Sequence, residues 1–177
     1  RSGFSVSSAG DVNGDGLADL IVGAPYANYG GSPYGEGASY VVFGKANWGG
    51  TPAVDLDALD GINGFRIPGI NDHDYTGRSV SSAGDVNGDG FDDLIIGAPT
   101  DLDRQGPGAS YVVFGKASWS GTASLDPATL DGTNGFRLDG IGISGFSGSS
   151  VSSGGDVNGD GFEDIIVGAP GADDYAG

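Results

Sequence analysis

DVNGDGFDDLIIGAP, residues 85–99, has two near-copies in the same chain: DVNGDGLADLIVGAP at 11–25 and DVNGDGFEDIIVGAP at 156–170. In each copy oxygen-bearing residues fall on alternate positions; in the middle one they are Asp85, Asn87, Asp89, Phe91 through its backbone carbonyl, and Asp93. This spacing suits a hard cation. Ca²⁺ takes about six to eight oxygens at short range, and a tight loop turns its odd-numbered positions towards a common centre. Gly88 and Gly90 supply the turning, because glycine adopts positive φ at little cost.

The opening matches the first half of an EF-hand loop, which closes with a bidentate Glu at its twelfth position. Val22, Ile96 and Val167 stand there instead. The last Asp leads directly into a short apolar run, Leu20, Ile21 and Val22 in the first copy, that ends in Gly23, Ala24 and Pro25. Such a run, rich in β-branched residues and bounded by Gly and Pro, reads as a buried strand and not as an exiting helix. Upstream, residues 5–10 and 79–84 read as weaker strands of small residues around Val6 and Val80. The loop is therefore expected at the tip of a β-hairpin.

The chain has 177 residues, no cysteine and no methionine. Disulfides and thiol chemistry are excluded, and the missing Met at position 1 reads as a processed product or a piece of something longer. No apolar run is long enough to cross a membrane as a helix, and no signal-peptide pattern is read within these 177 residues. Glycine (37) and proline (8) make about a quarter of the residues, a level that signals disorder in an aperiodic chain; the periodicity argues for a folded repeat. A formal charge of −17 argues against nucleic acid and anionic membranes as partners, which both require a basic face. Nine of the 24 carboxylates are the loop aspartates, so the acidity is partly a metal-site signature.

From Asp11 to Asp85 is 74 residues and from Asp85 to Asp156 is 71. GASYVVFGK, at 37–45 and 108–116, repeats at 71, as does NGFR with Phe65 and Phe136. The extra length therefore lies between Pro25 and Gly37, opposite the shorter stretch 100–107, in a surface loop. Each period holds four strand candidates: the pair around the metal loop, residues 39–43, and residues 64–67. Four strands per period is the signature of a β-propeller blade sandwiched between neighbours. That explains why Tyr40, Val41, Val42 and Phe43 do not alternate with polar residues. The long connection 45–63 carries Trp48, Leu56 and Leu59, repeated as Trp119, Leu125 and Leu130, which are expected to pack against the blade edge.

With these motifs the chain resembles the FG-GAP repeat family, whose best-known members are the propeller heads of integrin α subunits. The resemblance covers the whole chain, and Gly-Ala-Pro follows the ninth loop position at one offset in all three copies. It implies that Ca²⁺ is held by Asp11, Asn13, Asp15, Leu17 and Asp19, by Asp85, Asn87, Asp89, Phe91 and Asp93, and by Asp156, Asn158, Asp160, Phe162 and Asp164. One departure is the family's Phe-Gly pair before the first strand. Here Gly77 and Gly148 follow Thr76 and Ser147, with Tyr75 and Phe146 one step further back, so the aromatic is displaced by one residue. The expected fold is all-β: blades of four antiparallel strands, about two and a half of them, where a closed propeller needs roughly four to eight. The units are blade 1 at 1–74, blade 2 at 75–145 and the first half of blade 3 at 146–177. The chain is expected to be a fragment of a larger propeller or to complete itself by self-association, because an open array leaves faces bare.

A metal-free turn, with Asp and Asn capping their own backbone, competes with the metal reading. Three carboxylates in one loop repel one another unless a cation lies among them, which favours the metal. Asp92 and Glu163, at the eighth position, are expected to be solvated; Ala18 replaces them in the first copy. The single His, His73, sits in NDHDY at 71–75 with Ser144 as its counterpart, and is expected to be a solvated loop residue. No catalytic constellation emerges, and no enzyme is expected. Recognition is expected where the repeats differ. The inserted loop carries Tyr26, Tyr29 and Tyr34, which either anchor a ligand or pack on their own blade, and stretch 100–107 carries Asp101, Asp103 and Arg104. The expected function is a calcium-stabilised binding module of an extracellular or cell-surface protein, engaging protein or glycan ligands; the repeats' near-identity and the missing disulfides favour a bacterial source. The alternative is an accessory part of a calcium-dependent exported hydrolase.

Overall fold

The computed structural model describes residues 2–28, 35–50, 53–100, 106–142 and 144–172. Ten strands among the described residues form three antiparallel sheets, two of them four-stranded up-and-down meanders in chain order and the third a two-stranded hairpin. The first contains β1 (Ser5–Gly10), β2 (Asp19–Ala24), β3 (Ala38–Val42) and β4 (Gly64–Pro68). The second contains β5 (Ser79–Gly84), β6 (Asp93–Ala98), β7 (Ala109–Val113) and β8 (Gly135–Asp139), and β9 (Ser150–Gly155) pairs with β10 (Asp164–Gly168). These are propeller blades in an open series.

The register repeats with the sequence. Ile21 faces Val41 and Val41 faces Phe65, as Ile95 faces Val112 and Val112 faces Phe136. Each first hairpin shifts register before its loop, between Ser8 and Gly10, between Ser82 and Gly84, and at Asp164/Ile165 opposite Gly155. Gly10 at φ 75°, Gly84 at 72° and Gly155 at 69° occupy these shifts, where a left-handed residue gives the bulge that opens the loop.

The first strands lie side by side, β1 against β5 and β5 against β9. Their small residues allow this approach. The Ser5 hydroxyl donates to the Gly77 carbonyl and the Ser79 hydroxyl to the Gly148 carbonyl, both at 2.8 Å. Further out, Ile21, Val41, Phe65 and Ile67 of the first sheet share one core with Val80, Leu94, Ile96 and Val113 of the second. Ile95 and Val112 face the other way, onto Val151, Ile165 and Val167. All five residues of β3 and of β7 are buried, as a strand covered on both faces requires.

The same positions are bare at the ends of the series. Leu20 is 53 % exposed where Leu94 is 0 %, and Ile166 is 57 % exposed where Ile95 is 0 %. The long connection reaches backwards. Trp119 stacks on Phe65 of the preceding sheet at 3.9 Å between ring centres, and around a short parallel bridge from Arg66 to Ser124 the Arg66 N–H donates to the Ala123 carbonyl and the Leu125 N–H to the Arg66 carbonyl. The edge strand β4 is thus covered by the next repeat. Trp48 has no such partner among the described residues and is 40 % exposed. At the 71-residue spacing Leu125 corresponds to Val54 and Leu56 to Pro127, so of the leucines paired above only Leu59 and Leu130 are true equivalents. Leu56 and Leu59 pack on Tyr40 and Val42 of their own sheet. No helix among the described residues is long and apolar enough to cross a membrane.

Candidate metal centres and the opposite loop face

Each acidic loop joins the first two strands of a sheet and is built by the same hydrogen bonds. Asp11 accepts from the Asp15 N–H at 3.0 Å and the Gly16 N–H at 2.8 Å. Asn13 accepts from Asp15 N–H, and Asp15 from Leu17 N–H. The second loop repeats this with Asp85, Asn87 and Asp89, and the third with Asp156, Asn158 and Asp160. The fourth side chain closes the loop: Asp19, Asp93 and Asp164 accept from the N–H of Val12, Val86 and Val157. Asp19 and Asp93 also accept from Gly44 and Gly115 N–H at 2.8 Å, which ties the loop to the strand after next.

Asp19 and Asp93 are fully buried. Burial pushes each carboxyl up to about 6 against the pull of its two backbone hydrogen bonds, and the charges of Asp15 and Asp11, or Asp89 and Asp85, push in the same direction. Among the described residues none of the nine loop aspartates has a Lys or Arg ion pair. Lys45 and Lys116 lie instead over the rings of Trp48 and Trp119. An all-oxygen donor set, with one desolvated carboxylate facing two others and no basic side chain to offset them, is a set that fits a hard divalent cation.

The structure also displays the backbone-capping side of these loops, and among the described residues no three Asp, Glu, His or Cys side chains are gathered into a metal cluster. Capping and ligation are compatible, since an ionised carboxylate has about four acceptor sites and each loop hydrogen bond uses one.

The eighth loop position corrects the expectation of solvated side chains. Asp92 is only part-exposed and accepts from the Asp11 N–H of the preceding loop at 2.7 Å. Glu163 is likewise part-exposed, with its N–H on the Asp85 carbonyl and a carboxylate oxygen accepting from the Ser153 hydroxyl. A signal for this contact stood in the repeats: Phe91-Asp92 and Phe162-Glu163 occupy positions where the first copy has Leu17-Ala18.

The other ends of the strands carry the variable loops. Tyr26 is 46 % exposed, with its ring against Phe4 at 5.9 Å and Tyr75 at 5.5 Å. Tyr29, Tyr34, Asp101, Asp103 and Arg104 lie outside the described residues. A cavity of 410 Å³ opens here, lined by Tyr26, Tyr75, Arg78, Thr100 and Phe146 among others. His73 is not solvated: it is 7 % exposed, and its ring stands edge-on to Tyr75. His73 and Tyr75 have left-handed backbones, at φ 67° and 52°, and so do Ser144 and Phe146 at 59° and 52°. The displaced aromatic therefore occupies the same special conformation in both repeats.

The chain matches the FG-GAP repeat over residues 2–42, 76–113 and 147–177. It is 35 % identical over 171 residues to integrin alpha-PS5 of Drosophila melanogaster, 34 % over 174 residues to integrin alpha-5 of Xenopus laevis, and 38 % over 169 residues to integrin alpha-7 of Rattus norvegicus. These matches cover 97, 97 and 95 % of this chain, but only 15, 15 and 13 % of the respective relatives.

Proposed function

The chain belongs to the FG-GAP repeat family, and from that premise we propose that it is a series of calcium-stabilised propeller blades within an extracellular or cell-surface binding protein of the adhesion type. The observation that carries the reading is the threefold recurrence of one loop, at one place in each sheet, with nine carboxylates that no Lys or Arg neutralises among the described residues. Asp11, Asn13, Asp15, Leu17 and Asp19 would hold the first ion, with Asp85, Asn87, Asp89, Phe91 and Asp93 for the second and Asp156, Asn158, Asp160, Phe162 and Asp164 for the third. Bound Ca²⁺ would supply charge neutralisation and a cross-link at the hairpin tip. The chain's own contribution is the backbone cradle that fixes each carboxylate. This role is structural, and no enzymatic activity is proposed.

The blades correspond to residues 1–74, 75–145 and 146–177, and the apolar end faces would be covered by further blades or by self-association. The face bearing Tyr26, with Tyr29 and Tyr34 in the same loop, would engage a protein or glycan, since exposed tyrosines supply apolar area and a hydrogen-bonding tip. The charge of −17 argues against nucleic acid as a partner, and no membrane insertion is proposed. Replacing Tyr26, Tyr29 and Tyr34 together with Ser is expected to abolish capture from protein and glycan arrays while calcium binding by calorimetry stays unchanged. Undiminished capture would move recognition elsewhere.

A further inference from the structure

The contact between successive loops is built in more detail than a packing accident requires. Asp92 holds Asp11 at two points: its carboxylate accepts from the Asp11 N–H at 2.7 Å, and its own N–H donates to the Asp11 carbonyl at 3.2 Å. The next carbonyl, of Val12, accepts from the Lys116 N–H at 3.0 Å and the Trp119 indole N–H at 3.4 Å. Asp11, the first residue of the loop, is thereby fixed from the second blade. The side chains of Phe91 and Asp92 lie directly over Gly14 and Gly10, where any Cβ would collide with them.

The second loop receives the same treatment from the third blade. Phe162 covers Gly88, Glu163 covers Gly84, and the Glu163 N–H donates to the Asp85 carbonyl at 3.3 Å. The equivalent Gly155 and Gly159 of the third loop have no described neighbour that a Cβ would touch. Two loops are braced by a following blade, and one is not.

We infer that Asp92 is a positioning residue for the first cation loop and that, through it, occupancy of the second loop raises the affinity of the first. This rests on the calcium reading above. Asp92 stands between Phe91 and Asp93, two of the residues that would hold the second ion, so an ion there orders the segment that grips Asp11. By linkage the first ion must favour the second by the same factor.

The test is calcium calorimetry on the full chain in two backgrounds. One keeps only the first loop intact (Asp89→Asn, Asp160→Asn), and the other keeps only the third (Asp15→Asn, Asp89→Asn). Asp92→Ala is expected to weaken binding about tenfold in the first background, the worth of one charge-assisted hydrogen bond, and to leave the second unchanged. Asp92→Asn keeps an acceptor oxygen and should restore affinity to within about twofold of the parent. It also guards against an Ala variant that merely fails to fold. Coupling itself is read by restoring Asp89 to the first background, which should raise first-loop affinity. Unchanged affinity on Asp92→Ala, equal losses in both backgrounds, or failure of Asp89 to raise affinity overturns the inference alone. Absence of calcium binding in the chain with all loops intact overturns it together with the reading it rests on.

Discussion

Tyr111 is the residue at which burial and neighbouring charge combine most clearly. It is 1 % exposed on β7, and burial, with a further contribution from the Asp74 carboxylate, raises its phenol from 10.0 to about 12. The folded state therefore favours the neutral phenol. Its contribution is fully present below pH 10 and is lost as pH rises through 12, a fall of roughly 2–3 kcal/mol. Urea denaturation across this alkaline window is expected to show the loss in the parent. The Tyr111→Phe variant should lack that part of it. Asp74, half-buried, is itself pushed up by that burial while Asn71 donates to it from backbone and side chain, so the turn before β5 holds a carboxylate partly away from water.

The connection that carries Trp119 is the element joining one blade to the next. Trp119→Ala removes the stack on Phe65 and an indole bond to Val12, and is expected to cost about 3–5 kcal/mol in chemical denaturation. Trp48→Ala, at the equivalent but exposed position, should cost less than about 1 kcal/mol. A loss of similar size at both positions would contradict the backward docking of the connection. The strands themselves were legible: residues 5–10 and 79–84 were expected as strands of small residues and are β1 and β5, and the unbroken apolar run around Tyr40–Phe43 signalled cover on both faces. Those signals are local periodicities within one repeat. The partner of Trp119 and the grip of Asp92 on Asp11 were not legible, because each depends on residues far away in sequence whose contact only the stacking of sheets creates, and the burial of His73 was not legible because its N–H docks on the Gly35 carbonyl in a separate loop. The loop aspartates were recognisable by spacing, whereas their caging by backbone N–H groups was expected only as the competing reading.

At the scale of the whole molecule, calcium is expected to raise the stability of the stacked sheets. A site with a dissociation constant near 10⁻⁴ M, in about millimolar calcium, adds roughly 1.4 kcal/mol. Differential scanning calorimetry with and without chelator should therefore show a lower melting temperature on chelation; identical melting curves would remove the stapling role. Leu20 and Ile166 are exposed on the two end faces, so this chain by itself is expected to show association that grows with concentration in light scattering. The pairing of each strand only within its own repeat has a mechanical corollary. Every strand ladder of a sheet is completed by its own segment of chain, and neighbours share only scattered bonds such as Ser5 to Gly77 and the bridges Gly37–Thr76 and Gly108–Ser147. Tension applied between the termini would accordingly be released in discrete jumps, one wedge torn from the stack at a time, each leaving the remaining wedges intact to bear the load.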